Sequence, residues 1–536
     1  GTHTTAFTSH ATDADQPFTI DVVSDGTSSF NIDNVSLKVS NTAETGDDYL
    51  LFPDADTGGT INVYSRVTDT WNAPITGRTS NVSVGGVAQQ RKEVFYVADG
   101  NLRICDSVFT NANDNKWYGY IKRKRWKYGS TGLLPGAATY LTLLGTTGLE
   151  EEYDRWCYED QAIAAPTRGF VGLSTYGPYG SAGVGSNSTT LVDATNTDSG
   201  AFVNLDDDDF PDGGDLNEGD YIAYSHTSDQ GVLITSRDSK STLITEELTN
   251  DVDGAGTNWD GDTYYIMPGA GLGFNVYIVP LGNTDSTWPE GKTFVCASSF
   301  IYDNNQESLL YQMAGEWELE ANKNPKINIY CTGPFPPRIT GGRIYYRENF
   351  SNNDWTLLAE ISLEDGVRGG ITQKYIGWLL IPGAGTNKNV FRTFTNNTVT
   401  TYNNPLSYEL LTGNNQDLRS LSAKYKAVTV ANRRTYIGNI QITDRDGHSE
   451  VRGDAMIASP VNKFDTFNTD FAIEATISDG DNIMALESFA DRVLQFKKTK
   501  LHIINVSQNG AEFLEATYDF RGVLHPSSVC KTDVGI

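Results

Sequence analysis

The most constraining feature of this chain is the pattern of its C-terminal stretch, residues 481–536. Apolar residues alternate up to Phe496, a lysine-rich turn follows (Lys497, Lys498, Lys500), and a second alternating run covers residues 501–506. A period of two sends successive side chains to opposite faces of an extended strand, so two such runs around a short polar turn predict a β-hairpin. The same grammar recurs upstream. Val94-Phe-Tyr-Val-Ala and Asn101-Leu-Arg-Ile-Cys flank Asp99-Gly100, a dipeptide suited to a tight hairpin turn. Residues 426–440 read as another hairpin. Few segments keep a helical period. The best helix candidate is residues 149–165, where Leu149, Tyr153, Trp156 and Cys157 share a face and Pro166 ends the run. The expected class is all-β with one stray helix.

At 536 residues the chain is too long for one ordinary core and predicts three or more modules. Its 52 glycines and abundant Asn, Ser, Thr and Asp fit many short strands joined by turns. Lys and Arg number 40 against 68 Asp and Glu, a net charge of −28. Phosphate binding needs cations, so this field opposes specific nucleic-acid binding. Two readings of the charge stay open: solubility through self-repulsion, or a conduit wall that repels DNA so that it slides. The five cysteines (Cys105, Cys157, Cys296, Cys331, Cys530) are scattered and show no C-x-x-C spacing, so free thiols are expected in a reducing compartment. No apolar run approaches the ~18 residues of a membrane-spanning helix. The first residue is not Met and the opening reads as mid-domain, so an incomplete or processed N-terminus is expected.

The terminal stretch, on Asp491, Arg492, Leu494, Phe496, Lys497, Ile503, Asn505, Gly522, Val523, Pro526, Ser528, Val529, Thr532 and Gly535, resembles a β-propeller blade of bacteriophage tail hub or nozzle (tail tubular) proteins. In that family another strand would follow, so the resemblance implies a propeller cut short at this end. Residues 1–45 contain Phe18-Thr-Ile-Asp-Val-Val, a turn at Asp25-Gly26, and Phe30-Asn-Ile-Asp-Asn-Val-Ser-Leu-Lys-Val, which is similar to the last strand of a carbohydrate-binding jelly roll. An ordinary terminal strand pair is the plainer alternative. Residues 46–185 read as the first part of the propeller. Residues 186–268 form an acidic segment that resembles a small β-domain inserted in many phage structural proteins. Residues 269–415 carry a propeller return and, around residues 339–363, a stretch similar to a fibronectin-III or immunoglobulin-like sandwich. Residues 416–536 return to propeller character. The resulting expectation is a β-propeller interrupted by β-sandwich and small β-barrel-like insertions.

One patch joins basic and aromatic residues. Lys122, Arg123, Lys124, Arg125 and Lys127 interleave with Trp117, Tyr120, Trp126 and Tyr128. Such a run could hold phosphates and stack bases. On a strand, however, alternation divides the cations between two faces. The simpler expectation is that they pair with acids, either Glu150, Glu151, Glu152 and Asp154 of the same chain or those of a neighbouring subunit, with subunit contact favoured. The acidic run at Asp206–Asp209 and the Asp444-Arg-Asp446-Gly loop lack the pattern of a calcium loop and read as solvated acid. Arg452-Gly-Asp454 spells an adhesion tripeptide, with too few residues to carry information.

The six histidines are dispersed, and neither an H-E-x-x-H motif, a nucleophile elbow nor a phosphate loop is present. No catalytic residue, cofactor or metal is therefore expected. The resemblance implies a virion tail component, assembled in the host cytoplasm as a sixfold ring. A portal or adaptor protein and tail fibres would be its neighbours, and DNA would pass without specific binding. A glycan-binding adhesion protein and a propeller glycoside hydrolase with paired carboxylates are the alternatives.

Overall fold

A computed structural model describes residues 49–53, 61–65, 69–75, 82–84, 87–89, 94–105, 115–126, 150–173, 179–193, 221–225, 230–239, 242–245, 247, 258–261, 263–268, 273–332, 335–370, 373–375, 393–444, 447–474, 480–508, 511–532 and 535–536. Among them the chain is almost entirely strand, arranged in several open sheets. One α-helix, Tyr408–Thr412, is capped by the Ser407 side chain and ended by Gly413 at φ +76°.

Three sheets are four-stranded antiparallel meanders. The first comprises Val94–Ala98, Asn101–Cys105, Lys116–Trp126 and Glu150–Asp160. The second comprises Ala423–Ala431, Arg434–Thr443, Ser449–Ala458 and Ala472–Glu474. The third comprises Ile483–Phe489, Arg492–Lys497, Lys500–Asn505 and Phe513–Asp519. The Asp99-Gly100 turn and the 481–505 hairpin form as the alternation predicts.

These sheets pack in a row, because each meander alternates between two apolar sets. The first meander turns Tyr96, Ala98 and Cys105 toward Tyr425, Ile437, Ala455 and Ile457 of the second. Its Leu102, Ile104 and Tyr118 pack on Val63 of a three-stranded sheet made of Tyr49–Pro53, Ile61–Ser65 and Thr70–Ile75. The second meander gives Ala427, Tyr436 and Met456 to Ile483, Leu486, Val493 and Ile504 of the third. Sheets buried on both sides need apolar residues on both, and the sequence supplies them by alternation.

Between the first and second meanders the chain leaves the row and builds a sandwich. A four-stranded sheet (Arg168–Leu173, Gly273–Gly282, Lys323–Thr332, Thr393–Thr398) packs on a sheet centred on Thr293–Tyr302, Ile339–Glu348 and Thr356–Ser362. Phe274, Val276, Ile327 and Ile329 meet Phe300, Ile344, Leu358 and Ile361 in the largest core cluster. The approach is close at Gly342, where a Cβ would lie 2.3 Å from the Phe274 ring. Arg168–Leu173 and Gly273–Gly282 run parallel, so a long excursion must join them. That excursion forms a six-stranded sheet of its own, between Tyr179 and Pro268. The architecture is therefore nested: a sheet within a sandwich, and the sandwich within a row of meanders.

One expectation fails. The helix expected over 149–165 is not found in the described part of that span; Glu150–Asp160 is a strand paired over its full length with Lys116–Trp126. The helical spacing of Tyr153, Trp156 and Cys157 is overridden by an eleven-residue partner strand of opposite charge.

Candidate functional site

The most constructed polar site lies where the first meander, the second meander and the sandwich meet. Its centre is Asp465, in the loop after Ser449–Ala458, with a side chain fully withdrawn from solvent. Arg103, an inward residue of the Asn101–Cys105 strand, binds it twice: Nε to Oδ1 and Nη2 to Oδ2, both at 3.0 Å. Arg338, at the entry to Ile339–Glu348 of the sandwich, donates from Nη2 to Oδ2 at 2.7 Å. Gln161 Nε2 donates to Oδ1 at 2.9 Å, and Gln306 Nε2 to Oδ2 at 3.1 Å. The Asp465 backbone N–H donates in turn to Gln306 Oε1 at 2.8 Å.

The second layer is equally complete. Arg338 Nη2 also donates to Asp303 Oδ2 at 2.7 Å, and its Nη1 to the carbonyls of Asp160 and Gln161 at 2.9 and 3.1 Å. The guanidinium lies 5.0 Å from the ring centroid of buried Trp117. Gln161 Oε1 accepts from Tyr425 OH, and Tyr425 OH and Tyr96 OH are 2.8 Å apart. Two arginines and two aspartates balance in charge, which is what permits such burial.

Burial alone would raise the Asp465 pKa, but Arg103 and Arg338 override it and hold the carboxyl far below the usual range. Burial pushes the Tyr96 and Tyr425 hydroxyls up, so both stay neutral donors. With five donors on one carboxylate, Asp465 has no lone pair left for acid–base chemistry. The adjoining cavity of ≈ 190 Å³, bounded by Asn115, Gln161, Lys424, Gln441 and Phe467, is smaller than the ~300–1,000 Å³ of ligand pockets. The arrangement locks three units in one orientation.

A second buried carboxylate group sits in the sandwich. Glu307 accepts from Ser299 Oγ at 2.5 Å, from Tyr345 OH at 2.6 Å, and from Arg343. Glu360 accepts from Arg343 Nη2 at 3.0 Å and from Arg368. These acids too are spent on internal ion pairs.

The residues singled out in the sequence fall elsewhere. Lys122, Lys124 and Arg125 lie on Lys116–Trp126 opposite Asp154, Glu152 and Glu151 of Glu150–Asp160; Arg123 lies opposite Tyr153. The register thus sets most of the basic run against the chain's own acids. Lys127 and the acidic run at 206–209 lie outside the described residues. Asp444 accepts the His448 backbone N–H at 2.9 Å, and among the described residues no cluster of His, Cys, Asp or Glu is placed to hold a metal.

Arg452-Gly-Asp454 is part of a strand, not a loop tip, and Gly453 packs against Asn482. Cys105, Cys157, Cys296 and Cys530 form no disulfide, and burial pushes the Cys296 thiol up to about 12. No helix among the described residues is long and apolar enough to cross a membrane.

No protein-family model matches the chain, and no curated protein matches it. Among solved structures it is similar to phage phi92 endosialidase, with 10% identity and a TM-score of 0.14, over 89% of this chain and 56% of that one. The chain spans little more than half of that protein, and a likeness at this TM-score assigns neither fold nor activity.

Proposed function

We propose that this chain is a structural component of a bacteriophage virion, a tail hub or nozzle subunit. In this reading the row of meanders is part of an interrupted β-propeller, and the sandwich with its nested sheet projects outward to hold fibres or touch the host. The observation that carries it is the succession of four-stranded antiparallel meanders packed face to face, from between two of which the sandwich emerges. Propeller blades are four-stranded sheets of this kind. The buried carboxylates Asp465, Glu307 and Glu360 are engaged by arginines, and buried Asp193 accepts from Tyr264 OH, which suits a mechanical role. Subunits would form a ring around the DNA path beneath a portal or adaptor protein, with Lys122, Arg123, Lys124, Arg125 and Lys127 at subunit contacts. A net charge of −28 would keep passing DNA unbound.

Electron microscopy and mass measurement of the purified assembly test this reading. A ring of defined copy number with an axial pore supports it. A monomer that binds glycans on an array, or one that cleaves them, replaces it with the adhesion or glycosidase reading. Changing Lys122, Arg123, Lys124 and Arg125 to Ser should weaken ring assembly in sedimentation. Intact assembly together with loss of micromolar DNA binding would reassign the patch.

A further inference from the structure

The three-stranded sheet at the start of the row has an aromatic outer face. Alternation along Ile61–Ser65 turns Val63 inward, onto Leu102, Ile104 and Tyr118 of the first meander. It turns Asn62 and Tyr64 the other way, and the register sets Trp71 of Thr70–Ile75 directly opposite Tyr64. The two rings meet edge to face, with centroids 5.1 Å apart and planes at 61°. Trp117, Trp259, Trp288, Trp317 and Trp355 are all buried, whereas Trp71 is 56% exposed. An indole left in water beside a second aromatic ring marks a contact surface, where a scattered apolar residue would not.

Polar groups flank the indole on both sides. At the turn, exposed Asp69 adopts the left-handed conformation (φ +55°), which Asp tolerates better than most residues, and its Oδ1 accepts from Tyr64 OH. That bond braces the Tyr64 ring and leaves Oδ2 without a hydrogen bond. Two residues along the strand from Tyr64, the side-chain amide of half-buried Asn62 also has no hydrogen bond. A flat apolar ring between a carboxylate oxygen and an amide suits a sugar. The C–H groups of one pyranose face stack on the indole, while its hydroxyls donate to the carboxylate and exchange hydrogen bonds with the amide. Few polar groups placed around an apolar surface are what small-ligand sites offer. Charge narrows the class, because neither flanking group is a cation and a net charge of −28 opposes acidic sugars. Two rings are also too small a surface for a stable protein interface, which buries ~800 Å² per partner.

We propose that Trp71, Asp69 and Asn62 form a binding site for a neutral pyranoside, with Tyr64 bracing the platform. This goes beyond the virion reading and holds whether or not that reading is right, since ring assembly and sugar binding are measured separately. An open platform of this size is a weak site, with a Kd on the order of 1 mM for one sugar ring. The test uses the full chain labelled with 5-fluorotryptophan, in which the ¹⁹F resonance lost in Trp71→Phe is assigned to Trp71. Methyl β-galactoside and methyl β-glucoside are the neutral probes, and N-acetylneuraminic acid is the acidic one.

The expected result is a saturable shift of the Trp71 resonance alone with at least one neutral probe, and none with the acidic one. Asn62→Ala and Asp69→Asn should each weaken that binding several-fold without lowering Tm. Asn also suits the left-handed conformation at position 69 and keeps the acceptor for Tyr64 OH, so the second variant changes only the free oxygen. Absence of a saturable shift with both neutral probes would overturn the proposal. An equal response to N-acetylneuraminic acid would overturn the neutral class. A shift that survives both flanking substitutions at full strength would overturn the site, because bare stacking on an exposed ring would then account for it.

Discussion

The second meander is held on its two sides by different physics. Toward the first meander and the sandwich it contributes Asp465, a buried charge with five donors around it. Toward the third meander it contributes Ala427, Tyr436 and Met456, whose attraction is largely burial. An apolar seam is nearly non-directional and stabilises in proportion to area. A buried ion network gains little net free energy over an apolar replacement, yet it tolerates only one geometry. The contrast teaches where each is useful. Consecutive meanders follow each other in the row and need only be pressed together. The sandwich joins from a distant part of the chain and must be oriented.

The largest effect should come from emptying the centre of the lock. Asp465→Ala leaves Arg103 and Arg338 buried without their shared acceptor, and should cost about 4 kcal/mol in urea unfolding. Replacing the set together (Arg103→Met, Asp465→Leu, Arg338→Met) should cost far less than the single change. If the triple variant is the worse of the two, the lock contributes net stability and the contrast above fails.

The pH dependence has a definite sign. The folded pKa of Asp465 lies below its unfolded value of ~3.9, so its contribution is present above pH ~4 and is lost as pH falls below that. The Asp465→Leu triple variant should show a shallower acid limb.

On the apolar side, Ile504→Ala should cost about 3 kcal/mol, a transfer and cavity effect. The seam is also tight. A Cβ on Gly438 would lie 3.1 Å from Leu486 Cδ1 and 3.2 Å from Ile483 Cδ1. Gly438→Ala should therefore destabilise by about 1–2 kcal/mol through overpacking. A stabilised Gly438→Ala variant would show that the seam has slack, and would make it less well packed than its burial suggests.

How much of this was legible in the sequence divides along the same line. The hairpins around Asp99-Gly100 and Lys497–Lys500 follow from alternation and turn chemistry, which are local. The 149–165 segment was misread because its spacing fits a helix as well, and only the distant strand Lys116–Trp126 decides between them. The lock as an assembly was not legible. Arg103, Gln161, Gln306, Arg338 and Asp465 are spread over the chain, and no spacing rule connects them. One signal existed: Arg103 lies between Leu102 and Ile104 in a strand with apolar residues on both faces, where a charge needs a partner. The partner's identity required the fold.

The smallest effect should come from the surface of the second meander, within Arg452-Gly453-Asp454. Arg452 pairs with Glu450 at 3.0 Å, and both side chains are substantially exposed. Arg452 lowers the Glu450 pKa, but water screens such pairs and two long side chains must be held still to keep them. Arg452→Ser should leave Tm within the scatter of repeated melts. The middle residue differs, because a Cβ on Gly453 would lie 2.1 Å from Asn482 Oδ1, against the loop that opens the third meander. Gly453→Ala should lower Tm measurably while Arg452→Ser does not. The reverse order would mean that the charged rim, not the packing beneath it, holds the second and third meanders together.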